Sequence, residues 1–306
     1  GATTGSLVVT LEALKEMHLT PEDIQLIQND TKTCPDTGMA GASRSLYMDG
    51  NATIIAANKL LAAMRKEDGT LRTYDEMKAE GIETKYLGRY ETNTTPGLCR
   101  LDPNTGIGDP TPAFTYCLNL AEVEVDTKTG KTTVLKFTCV DFVGRIGNID
   151  AVNGQAYSGI MHGIGFALKE DYADVKKHAN MFGAGTSYIK DVPDDINLIH
   201  IDGAISDGPF GSSGASEAFQ ASGHCAVLNG IYNACGVRIH EIPALPEKVK
   251  AGLDAIAKGE KPYEPKKYFL GSDMYEELEN IKENPVQVGT QSFYVSLDDP
   301  TAERPF

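Results

Sequence analysis

The stretch Gly208-Pro-Phe-Gly-Ser-Ser-Gly-Ala-Ser-Glu-Ala-Phe-Gln220 decides how the rest of the chain is read. Its small residues form a loop ending in a single carboxylate, Glu217. An apolar segment of helical character, Ala218 to Ala234, follows directly, so the pattern predicts Glu217 in the first turn of one long helix. Backbone N–H groups at such a terminus favour an anion. A carboxylate presented by a glycine-rich loop suits a general base beside a bound cofactor. The plain alternative is a first-turn Glu that only caps its helix.

Two further junctions have the same composition: Thr37-Gly-Met-Ala-Gly-Ala-Ser-Arg-Ser45 and Ala151-Val-Asn-Gly-Gln155. Small residues let the backbone approach a ligand, and helix N-termini then aim donors at phosphate or oxo oxygens. Ser43, Ser45 and Ser213 add hydroxyls, Arg44 adds a positive charge, and the Gln155 amide can both donate and accept. No junction is a P-loop, since no Gly-Lys-Ser/Thr follows, and none is a dinucleotide-binding G-x-G-x-x-G after a strand. A G-x-S-x-G elbow for a serine hydrolase is missing. His162 and His224 lie in apolar helical segments and read as satisfied packing histidines.

The 306 residues fit one large domain or two ordinary ones. A hydrophobic content of 41% is ample for a core, with no apolar run of membrane-spanning length. The net charge of −15 argues against nucleic acid and anionic membrane surfaces, so a phosphate ligand must be held by backbone donors and local fields. The six cysteines contain no C-x-x-C pair, which excludes the usual zinc and iron–sulfur spacings. With no secretory signal in view, they read as reduced, cytoplasmic thiols, Cys117, Cys139 and Cys235 being buried. The chain opens in what reads as a glycine-containing loop, as a piece of a longer polypeptide would.

Helical spacing predicts helices over Ser6–Met17, Ser45–Met64, Tyr74–Ala79, Val152–Leu168 and Glu247–Lys258. A strand is expected at Ile24–Gln28, a strand pair at Phe114–Val125 and Thr132–Val140, and another strand at Ile196–Ile201. Asn29 to Ala42 and Thr92 to Pro112 read as loops, and Met274–Lys282 as a short exposed helix. The acidic run Asp191-Val-Pro-Asp-Asp195 reads as a solvated turn. This alternation gives an α/β or α+β fold with helices packed on mixed sheets. Two regions are expected: 1–255, and a charged, Pro-containing extension over 256–306.

These loops, together with Gly236-Val-Arg-Ile-His-Glu-Ile-Pro-Ala-Leu-Pro-Glu-Lys-Val249, resemble the molybdenum hydroxylases, the xanthine oxidase family. Within that family the likeness is greatest to bacterial aldehyde oxidoreductases, and it runs from Gly1 to about Leu253. The resemblance implies a molybdopterin-binding fold and a molybdopterin cytosine dinucleotide carrying molybdenum, with no protein side chain as a metal ligand. Glu217 matches the family's base, which takes the proton from the Mo–OH as that oxygen attacks the carbonyl carbon. Gln155 matches a pterin-contacting residue, with Ala151, Val152, Asn153 and Gly154 lining the same site. Gly41, Ala42, Ser43, Arg44 and Ser45 match the loop around the metal and dinucleotide. Ser213, Gly214 and Ala215 match the approach to the base, and Gly1, Ala2 and Thr3 the end of a Gly-Gln-Gly loop. One departure is Gly-Ala-Ser-Glu217 where the family usually has Gly-Val-Gly-Glu.

The resemblance further implies an upstream portion with 2Fe–2S clusters and a first molybdenum-binding domain, required for turnover. It implies an aldehyde substrate, water as oxygen source, an external electron acceptor and a homodimer. A purine or N-heterocycle hydroxylase using the same base, and a non-catalytic scaffold fragment, are the alternatives.

Overall fold

The computed structural model describes residues 2–27, 30–91, 100–101, 108–109, 111, 113–174, 176–205, 207–261 and 283. Two compact units divide the chain, Gly1–Tyr263 and Glu264–Phe306. The sheet and the helices packed on it belong to the first unit, and the helix expected at Met274–Lys282 lies outside the described residues.

A mixed three-stranded sheet organises this unit, in the order β3-β4-β5. Strand β3 (Tyr116–Val125) pairs antiparallel with β4 (Thr132–Phe142), and β4 pairs parallel with β5 (Asp195–His200). Hairpin chemistry at Asp126–Gly130 closes the first pair: Asp126 Oδ2 accepts from Thr129 Oγ1 at 2.8 Å. The parallel pair needs a crossover, supplied by α4 (Ile149–Leu168). The register puts Cys117, Asn119, Ala121, Phe137, Cys139, Asp141, Ile196, Leu198 and His200 on one face of the sheet. Helices α4, α5 (Ser216–Ala221) and α6 (Gly223–Cys235) cover that face, and Phe137, Ile160, Ile164, Phe219, Val227 and Ile231 fill the interface. Burying an aromatic such as Phe219 contributes about 1.5–3 kcal/mol.

The opposite face carries Tyr116, Leu118, Leu120 and Ile199, all exposed. A second, smaller core joins α1 (Ala2–Ala13) to α2 (Ser45–Met64) through Leu14, Ala57 and Leu61. Helix α3 (Tyr74–Ala79) starts with a capping box, Thr73 N donating to Glu76 Oε2 at 2.7 Å and Glu76 N to Thr73 Oγ1 at 3.2 Å. Helix α7 (Pro246–Ala257) ends the unit, so the division expected at 255/256 falls inside it.

Several expectations from spacing are corrected. Helix α1 begins at Ala2, so Ala2 and Thr3 are helical, and a separate 3-10 turn takes Lys15–Met17. Residues 24–27 follow the 3-10 turn Pro21–Asp23 and form no strand, pairing with no other strand among the described residues. Within the stretch read as loop, Arg100–Leu101 (β1) and Gly108–Asp109 (β2) pair antiparallel. The long helix expected behind Glu217 is broken at Ser222 into α5 and α6. The break sits where the backbones of Gly163 and Gly223 touch: a Cβ on Gly163 would lie 2.9 Å from the Gly223 Cα. The acidic run is partly structured, since Asp191 pairs with Lys169 at 2.6 Å, which holds the Asp191 carboxyl below its ordinary value against its partial burial. His224 is not satisfied, as its Nδ1 is buried without a partner among the described residues. Cys117, Cys139 and Cys235 are free thiols, and the first two meet at 3.4 Å on the covered face. Among the described residues no helix is long and apolar enough to cross a membrane.

Candidate functional site

A cleft of about 620 Å³ opens where four chain segments converge: α1, residues 43–46, residues 143–155 into the start of α4, and the loop preceding α5. The C-terminal end of β4 leads into it. There Gly144 bridges to Ser212, Ser213 N donates to the Val143 carbonyl at 3.1 Å, and Arg145 N to that of Gly211 at 2.8 Å. Ser212 Oγ donates to the Arg145 carbonyl at 2.6 Å. The glycine-rich loop is thus fastened to the chain leaving the central strand β4 by directional bonds that suit small residues. Phe210 adopts φ 52°, left-handed for a non-glycine residue. Behind it Pro209 packs on α2, where a Cβ on Gly50 would come within 2.6 Å of Pro209 Cγ.

The loop at 37–45 and the loop leading to Glu217 meet at Ser43. Ser43 Oγ donates to Glu217 Oε2 at 2.9 Å and accepts from the Glu217 N–H at 3.1 Å. Ala42 and Ser43 reach this position at φ 51° and 55°, an arrangement that costs roughly 1–3 kcal/mol per residue. A side chain at Gly214 would overlap the Ser43 carbonyl, so glycine there lets the two backbones touch. Helix α5 has only six residues, and the Glu217 amide is already taken by the serine hydroxyl. The carboxylate is therefore held by a side chain, where the sequence pattern suggested a long helix terminus.

Of the residues singled out from sequence, Ser43, Ser45, Ala151, Val152, Gln155, Ser213, Gly214 and Ala215 line the cleft. Glu217 is exposed and stands beside it, bonded to the lining Ser43. Gly41, Ala42 and Arg44 belong to the adjoining loop but not the lining. The Arg44 charge acts on Asp49, opposing the upward push that burial gives that carboxyl. Gly154 faces outward on α4, with open space beyond its Cα. Asn153 turns its amide oxygen to His200 Nε2 at 2.8 Å. Ala2 and Thr3 open α1, and Gly1 lies outside the described residues. The second junction is itself helical, as α4 begins at Ile149 with Asn148 as its cap, accepting from Ala151 N at 3.0 Å.

Sequence reading passed over Arg145, Asn148 and Glu12, which also line the cleft. Among the described residues the Arg145 guanidinium has no ion-pair partner, while Glu12 is paired with Lys15 at 2.9 Å. Asn148 carried a usable signal, as an N-cap residue three before Ala151. Arg145 carried none, because only the fold brings it beside the loop at 209–216.

This donor set fits an elongated ligand with phosphate and amide-like edges. It offers one unpaired cation, serine hydroxyls, a glutamine amide and the N-terminus of a 20-residue helix. Among the described residues no three His, Cys, Asp or Glu side chains gather as a metal site.

Comparisons with known proteins agree with this chemistry. Residues 1–193 match the family model of the molybdopterin cofactor-binding domain. An aldehyde oxidoreductase of Megalodesulfovibrio gigas is 42% identical over 255 residues, covering 83% of this chain. The crystal structure of an aldehyde oxidoreductase from Desulfovibrio desulfuricans superposes with a TM-score of 0.76 at 45% identity, over 81% of this chain and 27% of that one. A probable hypoxanthine oxidase of Escherichia coli is 28% identical over 264 residues, or 81% of this chain. The chain spans 28% of the length of each of these two curated relatives.

Proposed function

The chain belongs to the molybdopterin cofactor-binding domain family of the molybdenum hydroxylases, and from that premise we propose that it forms the carboxy-terminal part of the molybdenum site of an aldehyde oxidoreductase. The observation that carries this reading is the Ser43–Glu217 contact, which holds one carboxylate beside a cleft whose donors suit a pterin dinucleotide.

When bound, a molybdenum cofactor supplies the oxygen-transfer and two-electron chemistry. In the net reaction an aldehyde and water give a carboxylic acid, two protons and two electrons. Glu217 is the proton acceptor, and the Ser43 hydroxyl fixes one of its oxygens so that the other is left for the reacting proton. Gln155, Ala151 and Val152, which line the cleft, would hold the pterin portion. Arg145, Ser45 and Ser213 bind the phosphate end, the dinucleotide being the cytosine form. Iron–sulfur clusters on the remainder of the enzyme would supply the route for the electrons to an external acceptor.

A second reading, hydroxylation of a purine or another N-heterocycle, is favoured by the likeness to the probable hypoxanthine oxidase. It uses the same base and cofactor, so only the substrate separates the two.

The test is molybdenum analysis by mass spectrometry, with nucleotide release in acid, on this chain assembled with its remaining polypeptide. Near-stoichiometric molybdenum and CMP are expected. A folded assembly with neither would overturn the reading in favour of a scaffold. Turnover of an aldehyde against hypoxanthine then separates the two substrate classes.

A further inference from the structure

Beneath the cleft, on the helix-covered face of the sheet, lies a polar bridge that the proposed reaction does not use. The Asp141 side chain, near the end of β4, is wholly buried. Its Oδ2 lies 2.7 Å from His200 Nδ1, while Oδ1 has no hydrogen-bond partner among the described residues. His200 closes β5 and is only 12% exposed. Its other ring nitrogen reaches Asn153 Oδ1 at 2.8 Å. Asn153 lies in the second turn of α4, between Val152 and Gln155, both of which line the cleft.

A buried carboxylate–imidazole pair contributes little to stability, because desolvation offsets the attraction; its best-attested use is to fix register. Burial pushes the Asp141 carboxyl above its ordinary value, and the facing His200 opposes that push. Helix α4 has reason to need such a fastening. It contains Gly154, Gly159, Gly163 and Gly165, and at Gly159 and Gly163 it packs against the backbone of α5 and α6. Contacts of that kind resist separation more than rotation about the helix axis. The bridge is directional at both ends.

We propose that His200 is a positioning residue for the cleft: by joining Asp141 to Asn153 it sets the rotation of the first turns of α4, and with it the placement of Gln155, Ala151 and Val152. Its value for cofactor retention rests on the reading of the cleft as the molybdenum cofactor site. Asn153 acts here as a strut and makes no ligand contact through its side chain.

The test uses the assembled enzyme with His200→Phe, which keeps a ring but removes both bonds, and His200→Gln, whose amide can span the same gap. Two readouts are taken: molybdenum per chain, and backbone hydrogen exchange over residues 149–156 relative to residues 225–235 of α6. In H200F, molybdenum content is expected to fall about tenfold, the lower end of what loss of a supporting hydrogen bond costs a metal site. Exchange at 149–156 accelerates while exchange at 225–235 is unchanged, and H200Q stays within about twofold of the parent protein. Should H200F not fold, Asn153→Ala removes only the far end of the bridge and is read in the same two ways. Parent-like exchange at 149–156 in the broken variants overturns the proposal whether or not molybdenum is present. Molybdenum absent from the parent protein overturns the cofactor reading instead, and the exchange comparison still decides the bridge.

Discussion

Glutamine at position 217 would keep the shape of the Glu217 side chain and a hydrogen-bonding oxygen for Ser43, yet it cannot take a proton at neutral pH. Under the proposed mechanism, Glu217→Gln lowers kcat by roughly 10²–10⁴-fold, the usual contribution of a positioned general base. Molybdenum content should stay at the parent level, and steady-state kinetics beside metal analysis checks both. An equal loss of metal would make Glu217 a binding residue. Glu217 and Ser43 were both legible in sequence because small-residue loops ahead of a helix restrict what their side chains can do. Arg145 and His200 were not. Their importance comes from what the fold sets opposite them, a loop 64 to 71 positions later for Arg145 and a helix 47 positions earlier for His200.

Among the elements, α4 and α5 form a closely packed pair. A Cβ on Gly159 would lie 2.6 Å from Phe219 Cβ and 2.8 Å from the Phe219 carbonyl carbon, so neither side has a flexible group to yield. Gly159→Ala is expected to destabilise the unit by about 1–3 kcal/mol, read from denaturant melts, and to displace Glu217 two residues along. Helix α3 gives a pH-dependent test. Lys66 at 2.7 Å and the Thr73 amide hold the Glu76 carboxyl down at about 2, from an ordinary value of 4.5. A depressed carboxyl stabilises the fold above the unfolded value and loses that contribution as pH falls through the folded one. The melting-temperature gap between the parent protein and Glu76→Gln should therefore close between pH 4.5 and about 2. Helices α2 and α3 were readable to the residue because their periodicity is local, as is the capping box of α3. The break at Ser222 was not, since it sits at a contact between Gly163 and Gly223, 60 residues apart. The missing strand at 24–27 fails for a related reason: an apolar alternation makes a strand only where a partner edge exists.

At the scale of the whole unit, one side of the sheet is packed and the other is bare. Tyr116 (64% exposed), Leu118 (55%), Leu120 (57%) and Ile199 (45%) stand side by side across β3 and β5, with Val140 and Phe142 of β4 between them. Apolar faces of this kind are uncommon on free-standing domains. The isolated chain is expected to bind 8-anilinonaphthalene-1-sulfonate while folded, and Leu118→Lys with Leu120→Lys to cut that fluorescence without changing the circular dichroism. The mixed character of the sheet was legible from the alternation of strands and helices, but its bareness was not, since a sequence does not say which neighbour is absent.

The bond between Ser43 and Glu217 joins residues 174 positions apart. On a ribosome adding roughly 5–20 residues per second, the second partner follows the first by about 10–35 seconds. Through that interval α1 and α2 can already be folded while the cleft still lacks the wall formed by residues 209–216. Loading of a ligand between the two loops thus belongs to a late moment in the life of the chain, after α5 has emerged. Any factor delivering the cofactor meets a chain already extended past α5.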